Sequence, residues 1–247
     1  MGSPSAEFLE ARGVRVQFGG VKALDGVDLA VRRTEILGLI GPNGAGKTTL
    51  VNVLSGFQRP TAGQVWLLAD EVTSWPPGEL ARQGLVRTFQ AIRLFPALSV
   101  FENVEAAAVC ATTSRREARA LTRELLASLK LEQRANERAA ELPHGAERKL
   151  GIARALALRP RFLLLDEPAA GLNEAEGDEL VALLVGLRDR FALGLLVIEH
   201  DMRLIMALCE RIQVLDHGKT IAVGTPDQIR RDQTVRTAYL GTDARGS

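Results

Sequence analysis

One glycine-rich run, GPNGAGKT at residues 41–48, constrains the fold of this 247-residue chain more than any other feature. It follows an apolar run at residues 35–40 and precedes a helical pattern. Glycines let successive N–H groups point at phosphate oxygens, and the positive end of the following helix adds to that attraction. Because the run matches G-x-x-x-x-G-K-[ST], we expect a strand, loop and helix that bind nucleotide phosphates.

Two residues of this loop have specific predicted roles. Lys47 would reach the β- and γ-phosphates, and the hydroxyl of Thr48 would hold Mg²⁺. The residues that we expect to bind the nucleotide here are Gly41, Pro42, Asn43, Gly44, Ala45, Gly46, Lys47, Thr48 and Thr49.

A pair of carboxylates follows a second apolar run, residues 162–165. Asp166, at the tip of a predicted strand, would bind Mg²⁺ through water. Glu167 would orient and deprotonate an attacking water molecule. An isolated Asp-Glu pair is often only a solvated turn, but this pair follows a buried-strand pattern downstream of a phosphate loop. The chain lacks the N-K-x-D tetrapeptide that reads guanine, which favours ATP as the nucleotide.

Short apolar runs alternate with helical patterns, which predicts an α/β fold with parallel strands. Residues 1–34 and 63–72 instead have patterns typical of antiparallel strands, and residues 216–219 predict a hairpin turn. Residues 101–158 predict helices inserted into the α/β core. The buried-strand candidates are residues 35–40, 162–165 and 195–198.

Composition excludes several classes of protein. Lys plus Arg total 31 against 30 for Asp plus Glu, which argues against a dedicated nucleic-acid binder. The most apolar stretch, residues 181–198, contains three charged residues, so we expect no membrane span. Cys110 and Cys209 lie far apart and predict two buried free thiols. A solvated helix face is the expected role of the basic cluster Arg115, Arg116, Arg119 and Arg123.

Three further motifs lie at characteristic places relative to these two elements. They are TFQ at residues 88–90, AGLN at 170–173 and IEHD at 198–201. With them, nearly the whole chain resembles the nucleotide-binding subunit of an ABC transporter. The resemblance implies that Gln90 contacts Mg²⁺ and the attacking water, and that His200 contacts the γ-phosphate. It also implies that Phe18 stacks on adenine; the alternatives are a core phenylalanine and, for His200, a satisfied polar residue at a strand end.

The resemblance is weakest at the family's signature motif, L-S-G-G-Q. Residues 142–146 read LPHGA here, although the helical sequence after them is typical of the family. The resemblance implies that His144 and Gly145 face the γ-phosphate of ATP held by the opposite subunit. Pro143 has neither a hydroxyl nor an amide hydrogen and loses one such contact. Asn173 likewise replaces the usual Asp.

The implied fold class is α/β: a P-loop NTPase core with an antiparallel β subdomain and an inserted α-helical subdomain. The expected divisions are residues 1–90 for the β subdomain and phosphate loop, and 91–158 for the helical signature subdomain. Residues 159–225 carry the remaining core, with its Walker-B and switch motifs, and residues 226–247 form a C-terminal tail.

Several longer runs, including VRTFQAIRLFPALSVFENV at residues 86–104, resemble the importer subunits for branched-chain and other hydrophobic amino acids. The implied function is ATP hydrolysis at the cytoplasmic face of the cell membrane. The implied partners are a second ATPase subunit, transmembrane permeases and, indirectly, an extracytoplasmic solute-binding protein, with no nucleic acid. Residues 91–96 are the expected permease contact, unless Leu94 and Phe95 serve local core packing.

Two other classes of function remain as alternatives from the sequence. An ABC-type ATPase that acts on nucleic acid usually has coiled-coil insertions or a basic face. One that acts in translation usually has two cassettes. A regulatory module that binds ATP without hydrolysing it would not need the intact Asp166–Glu167 pair and His200.

Overall fold

The computed structural model describes residues 7–89 and 93–243. Gln90, Ala91 and Ile92 therefore lie outside the described residues. The strands are β1 (Phe8–Phe18), β2 (Val21–Arg32), β3 (Ile36–Ile40), β4 (Ala62–Leu67), β5 (Asp70–Glu71), β6 (Leu85–Arg87), β7 (Phe162–Asp166), β8 (Gly194–Ile198), β9 (Arg211–Asp216) and β10 (Lys219–Gly224). The α-helices are α1 (Lys47–Leu54), α2 (Pro77–Arg82), α3 (Val100–Ala108), α4 (Arg115–Ser128), α5 (His144–Leu156), α6 (Glu174–Phe191), α7 (Met202–Leu208), α8 (Pro226–Arg231) and α9 (Gln233–Asp243).

A central sheet has the strand order β10-β9-β3-β8-β7-β6. Neighbouring strands from β9 to β6 run parallel, as the sequence predicts. All residues of β3 and β8 are buried, because both faces of the sheet are covered. At one edge, β9 and β10 form the predicted antiparallel hairpin; His217 and Gly218 at its turn have φ of 43° and 73°, as a type I′ turn requires.

The second sheet is antiparallel, with the order β2-β1-β4-β5. Side chains of β1 alternate between its two faces, and Leu9, Ala11, Val14 and Val16 are buried. The antiparallel strands predicted within residues 1–34 and 63–72 are confirmed for the described residues, from residue 7 onwards. The sequence analysis missed β6, because a three-residue strand is too short to show a period.

The helices α3, α4 and α5 lie between β6 and β7 in the chain, as the helical pattern predicts. Ala118 and Leu125 of α4, and Leu129 directly after it, are buried against the core. The buried Thr122 interrupts this apolar face, and its hydroxyl donates to the Ala118 carbonyl at 2.8 Å. The four arginines of α4 are exposed, which agrees with a solvated face.

The two cysteines differ, so the prediction of two buried thiols is wrong for one of them. Cys110 follows the last turn of α3 and is exposed, whereas Cys209 is buried. Burial raises the pKa of the Cys209 thiol to about 12. Within residues 7–89 and 93–243, no helix is long and apolar enough to cross a membrane.

Candidate active site

Four adjacent parallel strands end side by side at one edge of the central sheet. The order β3-β8-β7-β6 brings together Gly41 after β3, His200 after β8, Asp166 and Glu167 at the end of β7, and Phe89 after β6. We call these loops the strand-end row. Ligands of open α/β sheets bind in the crevice outside such carboxyl ends. The row therefore joins sequence motifs that lie more than 150 residues apart in the chain.

The phosphate loop needs glycine at two positions for measurable reasons. Gly41 has φ of 150°, and a Cβ there would lie 2.1 Å from the Leu215 carbonyl oxygen. Gly46 has φ of 104°, and a Cβ there would lie 2.6 Å from the Ala23 carbonyl oxygen. The loop is thus held between β2 and β9, and a larger residue at either glycine would displace it.

Lys47 begins α1 and points back into its own loop. Its Nζ donates to the carbonyls of Gly41 at 2.6 Å and Pro42 at 3.0 Å. Burial lowers the pKa of Lys47, while the negative charges of Glu167 and Asp166 raise it. The structure thus places one cation opposite both carboxylates, with Thr48 and Thr49 in the same first turn of α1.

Arg87, which the sequence analysis missed, pairs with Asp166. The distance from Arg87 Nη2 to Asp166 Oδ2 is 2.7 Å, and the Arg87 side chain is only 6% exposed. The Arg87 guanidinium also donates to Asn52 Oδ1 at 2.6 Å and lies 4.9 Å from the centre of the Phe89 ring. The single indication in the sequence is a basic residue inside the apolar run that precedes TFQ.

The oxygens present fit Mg²⁺, which prefers hard oxygen ligands and keeps several waters. Asp166 uses Oδ2 for Arg87, and a carboxylate has a second oxygen with further acceptor capacity. Thr48 is exposed in the first turn of α1 and can supply a hydroxyl oxygen. Gln90, the third predicted metal residue, lies outside the described residues.

Glu167 has a backbone conformation that is unusual for a residue with a side chain. Its φ is 48°, and its N–H donates to the Ile198 carbonyl at 2.9 Å. This bond ties Glu167 to the end of β8. Its side chain lines a cavity of about 250 Å³ together with Phe89, Arg148 and Asp166. A carboxylate in this position is accessible to water while its backbone is fixed to the sheet.

His200 is exposed, but the residue before it is not. The His200 side chain is 67% exposed, whereas that of Glu199 is 1% exposed. Glu199 Oε2 accepts from the His200 N–H at 3.1 Å, and Oε1 accepts from the Ala169 N–H at 2.6 Å. The sequence analysis named His200 and missed the part played by Glu199.

Phe18 lies at the end of β1 and is 53% exposed, so the alternative of a core phenylalanine is wrong. It pairs with Val21 across the β1–β2 turn. Two residues after Val21, the Ala23 carbonyl lies against Gly46 of the phosphate loop. The aromatic ring is therefore presented at the end of the β subdomain that contacts this loop.

The structure does not bring His144 and Gly145 into the strand-end row. The α5 helix begins at His144, with Pro143 as its N-cap. The side chain of His144 is 84% exposed, and its Nδ1 lies 3.2 Å from Glu147 on the same helix. Gly145 lines a separate cavity of about 280 Å³ between α5 and α6. Any phosphate that these residues bind is thus not the one held by Lys47.

Asn173, the departure from the usual Asp, is the N-cap of α6. Its side chain accepts from the Glu176 N–H at 3.0 Å, and Glu176 in turn accepts from the Asn173 N–H at 3.0 Å. Asn and Asp cap helices about equally well. The replacement therefore preserves the start of α6.

Comparisons with known proteins agree with this geometry. The sequence model described as ABC transporter matches residues 24–170, and one described as branched-chain amino acid ATP-binding cassette transporter matches residues 219–245. The high-affinity branched-chain amino acid transport ATP-binding protein BraF of Pseudomonas aeruginosa is 42% identical over 252 residues. That similarity covers 96% of this chain and 99% of BraF.

Solved structures show the same fold. The ADP conformation of MJ1267, an ATP-binding cassette of an ABC transporter, superposes with a TM-score of 0.86 at 29% identity, covering 95% of this chain and 99% of that one. A dimeric post-hydrolysis state of the cassette MJ0796, bound to ADP and Pi, gives 0.77 at 28% identity, covering 88% and 98%. The chain therefore belongs to the ATP-binding cassettes of the ABC transporter family.

Proposed function

We propose that this chain is the ATP-hydrolysing subunit of an ABC importer for branched-chain or other hydrophobic amino acids. The strand-end row is the observation that carries the ATPase. It places a phosphate loop, an exposed histidine and a carboxylate pair at the ends of three adjacent strands, β3, β8 and β7. The substrate class is supported by the similarity to BraF and by the branched-chain match at residues 219–245.

The residues divide the work of hydrolysis. Glu167 takes a proton from the water that attacks the γ-phosphorus, which contributes about 10²–10⁴-fold to the rate. Lys47 and His200 stabilise the negative charge on the phosphate oxygens, and Phe18 stacks on adenine. Mg²⁺, when bound by Asp166 and Thr48, neutralises charge on the β- and γ-phosphates. Gln90 completes the proposed set at the attacking water.

A second ATPase subunit, a copy or a paralogue, completes each site. The dimeric MJ0796 structure supports a paired arrangement for this fold. Because Gly145 lies outside the chain's own strand-end row, the N-terminal turn of α5 is free to meet the ATP of the opposite subunit. The N–H groups of the first helical positions have no acceptor within the helix and suit a γ-phosphate.

A permease would dock next to Phe95. This side chain is 48% exposed, yet its backbone is held by the buried Asn103. The Phe95 N–H donates to Asn103 Oδ1 at 2.9 Å, and Asn103 Nδ2 donates to the Phe95 carbonyl at 3.0 Å. Leu94 packs partly against the core. Local core packing thus explains Leu94. Phe95 is an exposed apolar side chain on a fixed backbone, which favours contact with a partner.

This contact would hold the chain peripherally at the cytoplasmic face of the membrane. The permeases would in turn receive the amino acid from an extracytoplasmic solute-binding protein.

The test is amino-acid uptake by proteoliposomes that contain the chain, its second ATPase subunit and candidate permeases, with the solute-binding protein added outside. We expect leucine uptake that needs internal ATP and is lost with Lys47→Ala. If nucleic acid stimulated phosphate release and the permeases did not, the importer function would be contradicted. ATP binding by the complete complex without any phosphate release would contradict the ATPase.

A further inference from the structure

The segment that follows Glu167, residues 168–170, is held from two sides by charged side chains. On one side, Arg148 of α5 donates from Nη1 to the Pro168 carbonyl and from Nη2 to the Ala170 carbonyl, both at 2.6 Å. On the other side, Glu199 Oε1 accepts from the Ala169 N–H between them at 2.6 Å. Three successive residues are thus fixed by one guanidinium and one carboxylate.

Glu199 is buried, so protein groups must satisfy its charge in place of water. A carboxylate that is 1% exposed requires N–H donors and a compensating charge. Its two donors come from Ala169 and His200. Arg148 supplies charge compensation: burial lowers its pKa, while Glu199 and Glu176 raise it.

We propose that Arg148 and Glu199 clamp residues 168–170 and act as positioning residues for Glu167 and His200. Glu167 directly precedes the clamped segment, and His200 directly follows Glu199. The clamp also joins α5, whose first turn faces the opposite subunit's ATP, to the base and the switch histidine of the chain's own site. A movement of α5 on dimer closure would therefore reach Glu167 through two hydrogen bonds. The catalytic part of this proposal rests on the proposed ATPase function.

The first test needs no nucleotide: hydrogen exchange of the full-length protein, followed at the Ala169 amide. We expect Glu199→Leu, which removes the acceptor, to accelerate exchange there about tenfold or more. Glu199→Gln keeps a side-chain carbonyl that can accept from Ala169 and should change exchange less. Unchanged exchange in Glu199→Leu would overturn the clamp, even if the protein had no ATPase activity.

The second test separates positioning from folding. We expect Arg148→Lys, whose single ammonium group cannot fit both carbonyls as a guanidinium does, to lower kcat about ten- to hundredfold. The KM for ATP should stay within about twofold, because the phosphate loop is untouched. Arg123→Lys, the same substitution on the exposed face of α4, is the matched control and should keep wild-type kcat.

The double variant Arg148→Lys/Glu199→Leu adds a further criterion. If both residues act through residues 168–170, the double variant should lose no more kcat than the more damaging single variant. Either substitution alone would already displace this segment, so the second adds no further loss. Fully additive losses would overturn a shared action. A parallel fall of kcat, ATP-binding capacity and melting temperature in Arg148→Lys would show a merely structural role and would also overturn the proposal.

Discussion

The strand-end row and the first turn of α5 are both proposed to bind phosphate, but they are constructed differently. In the row, named side chains follow buried strands, and their charges are matched, as in the 2.7 Å pair of Arg87 and Asp166. In the first turn of α5, Pro143 and His144 are exposed, and His144 contacts Glu147 of its own helix. The row thus adds charged side chains to the N–H groups of its phosphate loop, whereas the turn of α5 offers backbone N–H groups.

This difference explains where the sequence departs from its family. Replacing Lys47, Asp166 or Glu167 with a neutral residue removes a charge from the row. Changing a side chain at the start of α5 leaves the N–H groups and the helix dipole in place. We therefore expect the departures from L-S-G-G-Q to be tolerated where a backbone N–H remains, which holds for His144 and Ala146 and not for Pro143.

The largest effect should follow Glu167→Gln. The amide keeps the shape of the side chain but cannot accept the proton of the attacking water, so we expect steady-state hydrolysis to fall about 10²–10⁴-fold. ATP binding, followed by fluorescence of a labelled nucleotide, should persist. Glu132→Gln changes an exposed carboxylate outside the row and serves as the control. Near-normal turnover of Glu167→Gln would remove it from the role of base.

The next largest effect is on the free energy of unfolding. Arg87 compensates the negative charge of Asp166 in the row. Arg87→Met leaves Asp166 partly buried without its partner, and we expect a loss of about 3–5 kcal/mol in the free energy of unfolding by urea. The exposed Arg82→Met should change this free energy by less than about 0.5 kcal/mol.

Adding Asp166→Asn to Arg87→Met isolates the cause. Asn carries no charge, so part of the lost stability should return. A double variant as unstable as Arg87→Met would show that packing around the guanidinium, and not the unpaired charge, is responsible.

The sequence predicts the site residues of the row much better than it predicts the partners of those residues. Residues 41–48, Asp166 and Glu167 directly follow apolar runs, and such runs predict buried strands whose ends meet. The partners of these residues could not be predicted in the same way. Arg87 and Asp166 lie 79 residues apart, and Ala169 and Glu199 lie 30 apart, and neither spacing has a period. Their contacts depend on strand order, which no local pattern specifies.

A smaller effect on kcat is expected from a substitution at the start of α5. Proline suits the first helical position, and Pro143 already has the extended backbone, with ψ of 153°, that a following proline prefers. His144→Pro therefore keeps the helix but removes one N–H group. We expect kcat of the assembled complex to fall about tenfold or more, as loss of a preorganised donor does elsewhere. Helix content, measured by circular dichroism, should not change.

The smallest effect should be that of His144→Ala, the matched variant at the same position. It removes the exposed imidazole and keeps the N–H, so kcat should change by less than about threefold if the backbone binds the phosphate. The comparison between the two regions fails in either of two cases. A large loss in His144→Ala would mean that the imidazole contacts the opposite subunit's ATP, so that this region also depends on a side chain. Equal and small losses in both variants would mean that the N–H of residue 144 binds no phosphate.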